Sequence, residues 1–340
     1  MVENIDIAVV GATDAVGEAI ISLLEAREVP VGTLFPLVEQ DAAGHKVEFK
    51  GKYLTAQTLE EFDFSRVNIA LFAVDAPLAQ EYVPKAAAAG CVAIDFSGCF
   101  AGEEDVPLVV PEVNPLAIGQ GCERGIIASP GSVSVMLWVA LKPLHDAVGI
   151  SRLNLVSLQA VSGDGKAAVD ELAAQTVALL NMRQVQNAIY PKQIAFNILP
   201  QINGLEDNGY SREEMKLLWE SQKLLSDSAM VINATAVTVP VFHGHSLIVH
   251  LETETKMTAL QARDLLQRTP GVAVMDSPEL GDYPTAVTEA AGNDKVFVGR
   301  IREDISHPGG LDIWIVADNI RRGMALNGVQ IVEILVKDYL

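Results

Sequence analysis

Residues 5 to 27, IDIAVVGATDAVGEAIISLLEAR, constrain the chain more than any other stretch. An apolar run broken only at Asp6 meets a turn with glycine at each end, and a helix-period pattern begins directly after it. This is the opening of a βαβ unit with a buried parallel strand. Glycines at such a turn let the backbone approach a pyrophosphate, which the N-terminus of the next helix attracts. The candidate cofactor contacts are therefore Gly11, Thr13, Ala15, Val16 and Gly17. Asp14 sits among them, a carboxylate where phosphate oxygens would lie. The competing reading is a tight strand-to-helix turn kept for packing.

The alternation continues through TLFPLV, NIALFAV, the helical APLAQEYVPKAAAAG, CVAIDFSG and GIIAS, which together describe a Rossmann-type doubly wound parallel sheet over residues 1–130. A helix is expected at 132–148. Beyond it the pattern becomes long period-two strands, RLNLVSLQAVSG, AVTVPVFHGHSLIVHLET and KVFVGRIREDISHPGGLDIWIVADN, with two helices inserted. That suits a second, α+β domain with a large mixed sheet over 131–317. The closing NIRRGMALNGVQIVEILVKDYL is an amphipathic helix, 318–340, expected to pack back on the first domain. The fold class is α/β.

The formal net charge of −20 disfavours nucleic acid and anionic membrane surfaces as partners. Three cysteines, Cys91, Cys99 and Cys122, are too few and too irregularly spaced for a disulfide framework or a zinc site, and no metal is expected. With no basic leader and no apolar run of ~18 residues, a cytoplasmic location is expected.

Several motifs carry polar chemistry. FHGHS places His243 and His245 in a strand-like stretch where one can point into a cleft. SREEMKLLWESQK puts Glu213, Lys216 and Glu220 on one helical face, a pattern that is usually a solvated ion-pair face. Ser162 and Gly163, in SGDGK, lead into a helix and can offer backbone donors, against the alternative of a capped helix start. Asn327 and Gln330 share a face of the last helix, as structural amides or ligand contacts. In IIASPGSVSV a strand ends at Ser129-Pro130-Gly131, and Ser132 opens a helix, a place suited to a nucleophile.

Together, VGATDAVG, PLVVPEVNP, ALKPLHD, LQAVSGDG, VPVFHGHS and VGRIREDISHPGGLDIWIVADNIRRGMALNGVQIVEIL resemble the aspartate-semialdehyde dehydrogenase family in order and spacing over nearly the whole chain. The resemblance implies an N-terminal NADP-binding Rossmann domain, a second domain for catalysis and dimerisation, and a reaction through a thioester on cysteine with histidine as acid/base. The family's Asn-Pro-Asn-Cys-Ser/Thr motif falls on Ser129-Pro130-Gly131-Ser132-Val133, so Ser132 stands at the cysteine position. A thiol near pKa ~8.5 can be lowered into a useful range, whereas a hydroxyl needs a base relay. Cys91 and Cys122, read as lying on sheet elements, and Cys99 do not take its place.

The family's histidine falls on His245 and its acyl-loop glutamine on Gln159, while Glu213 and Lys216 match its substrate-binding pair. Its two anion-binding arginines fall on Ala101 and Thr238. An arginine fork binds carboxylate or phosphate through strong paired hydrogen bonds, so both losses weaken recognition of a dianionic substrate. Where the family binds the adenosine 2′-phosphate, this chain carries Glu39 and Asp41, and Asp75 follows the strand ALF. Each like-charge contact at ~4 Å opposes a polyanion by up to about 4 kcal/mol before screening. An acidic residue there also suits the ribose diol of NAD.

The resemblance is to a Usg-like side branch that lacks the catalytic cysteine: a homodimer with the family fold, NADP or NAD as its cofactor by resemblance, binding in question, and the family reaction lost. Two alternatives stand beside it. One is an active NAD(P)-dependent oxidoreductase on a different carbonyl or acyl substrate, and the other a non-catalytic dimeric binding or scaffold protein with a small-molecule ligand.

Overall fold

The computed structural model describes residues 4–340. The chain divides into two compact units, residues 1–131 with 323–340, and residues 132–322.

In the first unit the strands are β1 (Ile5–Val10), β2 (Val31–Val38), β3 (Lys46–Phe49), β4 (Lys52–Thr55), β5 (Gln57–Thr58), β6 (Ile69–Phe72), β7 (Val92–Asp95) and β8 (Ile126–Ala128). A parallel six-stranded sheet runs β5-β2-β1-β6-β7-β8, so the order reverses beside β1. In doubly wound sheets that reversal opens the ligand crevice at the carboxyl ends of the strands. Helices α1 (Ala15–Ala26), α2 (Ala76–Ala88) and α3 (Ile118–Arg124) connect the strands.

The final helix, α8 (Leu326–Asp338), belongs to this unit. Its Val329, Val332 and Leu335 join one core with Ile7, Val9, Ile20, Leu24, Leu71 and Ile94. Full burial of each such side chain contributes about 1.5–3 kcal/mol, and Arg27 and Glu333 pair at 2.7 Å beside this core. Residues 318–322, read above as the start of this segment, stay with the second unit. Asp318 and Asn319 tie them there, accepting the amides of Gly292 at 2.7 Å and Gly244 at 2.9 Å. The small β3–β4 hairpin is an addition that the strand reading omitted.

The second unit begins with α4 (Ser132–Val148) and β9 (Ile150–Ala160), then α5 (Lys166–Leu180), α6 (Arg212–Leu225), β10 (Val231–Val239), β11 (His245–Thr253), α7 (Ala259–Gln267), β12 (Val272–Val274), β13 (Val296–Glu303) and β14 (Gly310–Ala317). Its sheet runs β10-β9-β11-β14-β13-β12. β9 pairs parallel with β10, as β12 does with β13, and the other pairings are antiparallel. Two of the three long runs, AVTVPVFHGHSLIVHLET and KVFVGRIREDISHPGGLDIWIVADN, are each broken by a turn, because Gly244 takes a φ of +87° and the 304–309 segment reverses the chain. His243 consequently lies in the turn ahead of β11, exposed, and only His245 is on the strand.

Candidate functional site

At the first turn, Gly11 adopts a φ of +80°, and a Cβ there would lie 2.3 Å from the carbonyl oxygen of Ala73. A Cβ on Gly17 would lie 2.0 Å from the Gly11 carbonyl oxygen. Both glycines are thus required by packing alone, whatever the turn binds. Asp14 is the residue before α1, yet its side chain makes no capping hydrogen bond. Partial burial, and then the charge of Asp41, hold its carboxyl above the usual range. Asp75 has a structural task, accepting the Leu78 amide at 3.3 Å to cap α2. The shape of a nucleotide turn is present, and Lys46 lines the same cavity as Thr13 of that turn. Asp14 and Asp41 oppose one another, which disfavours a 2′-phosphate placed beside them.

Asn327 and Gln330 turn their amide NH2 groups into the first unit. Asn327 donates to the Val109 carbonyl at 3.0 Å and to Ser129 Oγ at 2.9 Å, and Gln330 donates to Glu112 at 2.9 Å. Asn327 is fully buried, so this bond fixes the strand end that precedes Ser132 in the chain. Burial disfavours the thiolate at all three cysteines. Cys91 is buried and pushed up to about 12, and burial also raises Cys99 and Cys122. Cys122 lies on α3 rather than on a sheet element.

In the second unit, Ser132 is the first residue of α4 and half-buried. No hydrogen bond joins it to His245 among the described residues. His245 is 1% exposed, and its Nδ1 accepts the Ala160 amide at 3.0 Å. An imidazole whose Nδ1 lone pair is so engaged carries its proton on Nε2. Burial lowers its pKa to about 3, which keeps the ring neutral. Nε2 therefore presents an N–H, a donor and not a base. It faces Gly163, where a Cβ would stand 3.6 Å away.

The loop carrying Gly163 is fixed by the Val161 and Ser162 amides, which donate to Val241 and Phe242 carbonyls at 3.0 and 3.1 Å. Asn319 and the Ser162 hydroxyl also bond each other at 3.0 Å. Gly165, ahead of α5, supplies no side-chain cap, so the capped-start alternative for SGDGK does not hold.

Gln159, the residue before the end of β9, donates to Glu213 and to Ser157, each at 3.2 Å. Thr238 is opposite Gln159 in the parallel β9–β10 register and 2% exposed, so the position matching the family arginine carries no charge. The expected solvated face on α6 is instead half-buried. Glu220 is 4% exposed, 2.5 Å from Ser134 Oγ and 3.8 Å from Lys216. Trp138 donates to Ser221 Oγ at 2.8 Å. The helix that begins at Ser132 is thereby clamped to the helix that carries Glu213 and Lys216.

Two residues escaped the sequence reading. Asp164, in the loop facing His245, accepts the Tyr190 hydroxyl at 2.7 Å, and burial followed by the charge of Glu213 raises its carboxyl. Ser134 was missed because a lone serine inside an apolar helix gives no signal. Asp164 stood in plain sight within SGDGK. Among the described residues no group of acidic, histidine and cysteine side chains is arranged to hold a metal, and no helix is long and apolar enough to cross a membrane.

The fold is shared with known proteins. Residues 6–121 match the family described as semialdehyde dehydrogenase, NAD binding domain, and residues 141–322 match semialdehyde dehydrogenase, dimerisation domain. The aspartate-semialdehyde dehydrogenase of Legionella pneumophila is 51% identical, the match covering 100% of this chain and 98% of the relative. That of Shewanella violacea is 48% identical over the whole of both chains. The crystal structure of aspartate semialdehyde dehydrogenase II from Vibrio cholerae, complexed with ASA, superposes with a TM-score of 0.97 at 47% identity, covering 99% of this chain and 100% of that one. With both halves matched in order and the relatives covered end to end, the chain belongs to the aspartate-semialdehyde dehydrogenase family.

Proposed function

We propose that this chain is a homodimeric member of the family that keeps the fold and the cleft but has lost the phosphate-dependent dehydrogenase reaction. The observation that carries the reading is the pair Ser132 and His245. A serine can replace a cysteine nucleophile only with a base to take its proton, and His245 Nδ1 is occupied by the Ala160 amide while its pKa is lowered to about 3. Thr238 and Ala101 point the same way, because neither side chain carries a positive charge to pair with a carboxylate or phosphate. Asp14 and Asp41 disfavour NADP in particular.

The site roles follow the same correspondence. His245 and Gln159 form the wall of the acyl pocket, Ser132 occupies the nucleophile position, and Glu213 and Lys216 border the substrate side. Gly11, Thr13, Ala15, Val16 and Gly17 form the nucleotide turn, with Ser162, Gly163, Asn327 and Gln330 as the remaining cofactor positions. Residues 1–130 form the nucleotide-type domain, and 131–317 the dimerisation domain.

The test is phosphate-dependent reduction of NADP, and of NAD, by purified protein with aspartate semialdehyde. No turnover is expected with either nucleotide, and a rate comparable to that of an active relative overturns the reading.

A further inference from the structure

Strand β13 carries a bulge at Arg300. Gly299 pairs with Trp314 and Arg302 with Asp312, so Arg300 and Ile301 together stand against the single residue Ile313 of β14. Arg300 takes a φ of +54°, and Arg302 Nη1 donates to its carbonyl at 3.0 Å. Glycine adopts this left-handed backbone without strain and is the usual occupant of such a bulge. An arginine is held there instead, and bulges re-aim the side chains they carry.

The other bulge residue is satisfied by side chains. The Ile301 amide donates to Asp276 Oδ2 at 3.2 Å, its carbonyl accepts Arg263 Nη2 at 3.3 Å, and Arg263 pairs with Asp276 at 2.6 Å. That ion pair is therefore committed to the backbone. Beside it, Arg300, Asp282, Ser277, Val274 and Pro278 line a cavity of about 680 Å³, which shares no residue with the His245 cleft. The Ser277 amide donates to Asp282 Oδ2 at 2.7 Å, and hydrogen bonds from Ser277 hold the Asp282 carboxyl below the usual range. Among the described residues no ion pair joins Arg300 or Asp282 to each other or to a third charged side chain. One guanidinium and one carboxylate thus stand apart on the wall of one cavity.

We propose that this cavity binds a small zwitterion, a free α-amino acid with an uncharged side chain. Arg300 pairs with the α-carboxylate through its fork of donors. Asp282 receives the α-ammonium, and the side chain lies against Val274 and Pro278. A ligand carrying only one of the two charges leaves the opposite wall unanswered. The site is independent of the reaction at the His245 cleft.

Three probes share one carbon skeleton: L-leucine, L-leucinamide without the carboxylate, and 4-methylpentanoate without the ammonium. Calorimetry on the full chain should show saturable binding of L-leucine, with each analogue about tenfold weaker, as the loss of one charge-assisted hydrogen-bonding group requires. Arg300→Gly should bring L-leucine down to the level of L-leucinamide. The same variant should unfold at the parent temperature or above, because glycine suits a φ of +54°. Asp282→Asn, which keeps an acceptor for the Ser277 amide, should bring L-leucine down to the level of 4-methylpentanoate. If Arg300→Gly does not fold, Arg300→Gln must show the same loss of affinity.

The inference is overturned if L-leucine does not bind, or if either analogue binds as tightly. Unchanged L-leucine affinity in both the Arg300 and Asp282 variants also overturns it, since the amino acid then sits elsewhere in the chain. An Arg300→Gly chain of lowered stability and parental affinity makes the arginine structural and has the same consequence.

Discussion

The Ala160 amide donates to Nδ1 of His245 at 3.0 Å, and that bond leaves the ring proton on Nε2. Because β9 and β11 are adjacent strands, the backbone itself sets the tautomer.

The same burial makes His245 a contributor to pH-dependent stability. An unfolded histidine takes up a proton near pH 6.5, while His245 in the fold resists protonation until about pH 3. Between those values the unfolded chain binds the extra proton, so this contribution is present above about pH 6.5 and is lost as the pH falls toward 3. Thermal unfolding across that range should therefore show a shallower acid-side slope in His245→Gln than in the parent chain. Parallel slopes would mean that the ring is not buried neutral.

Ser134→Ala should cost about 1–3 kcal/mol in urea unfolding, because it removes a donor from the buried Glu220 carboxylate. Lys142→Ala, which breaks an exposed i,i+4 pair with Asp146, should cost under about 0.5 kcal/mol. Equal effects would show that the clamp between α4 and α6 is unimportant.

Gly11→Ala should destabilise the chain by about 3 kcal/mol or prevent folding, since the new methyl meets the Ala73 carbonyl and the backbone is left-handed there. Thermal melts with and without NAD should show the same loss. A variant of normal stability with altered nucleotide binding would make the glycine functional instead.

Replacing the acidic pair at the turn, Asp14→Gly with Asp41→Ser, should tighten NAD binding about tenfold or more, because each carboxylate repels the pyrophosphate. Calorimetry on the parent and the double variant measures this directly. An unchanged affinity would show that these carboxylates do not govern nucleotide binding at the turn.

Much of this architecture is legible in the sequence because periodicity and turn chemistry are local. The glycine turn, the Ser132 helix and the change to period-two strands are each written within about twenty residues. Even the omitted β3–β4 hairpin had its mark, as Lys50 and Gly51 both take the positive φ that a two-residue hairpin turn demands. The polar clamps were hidden, because Ser134 meets Glu220 across 86 positions and the Ala160–His245 bond spans 85. Glu220 looked like a surface charge on its own helix, and only the packing of α4 over it buries the carboxylate. Asp164 was passed over for the opposite reason, since an acidic residue between glycines is ordinary turn chemistry until His245 and Glu213 are placed beside it.

The most direct measurement is the dehydrogenase assay on Ser132→Cys. That substitution restores the thiol at the head of α4 and leaves Thr238, Ala101 and Asp14 as they are. The account predicts that NADP reduction with aspartate semialdehyde and phosphate stays undetectable, while the new thiol still reacts with a simple alkylating agent. Recovery of turnover by this one change would contradict it, and would show that the reaction was lost at a single atom.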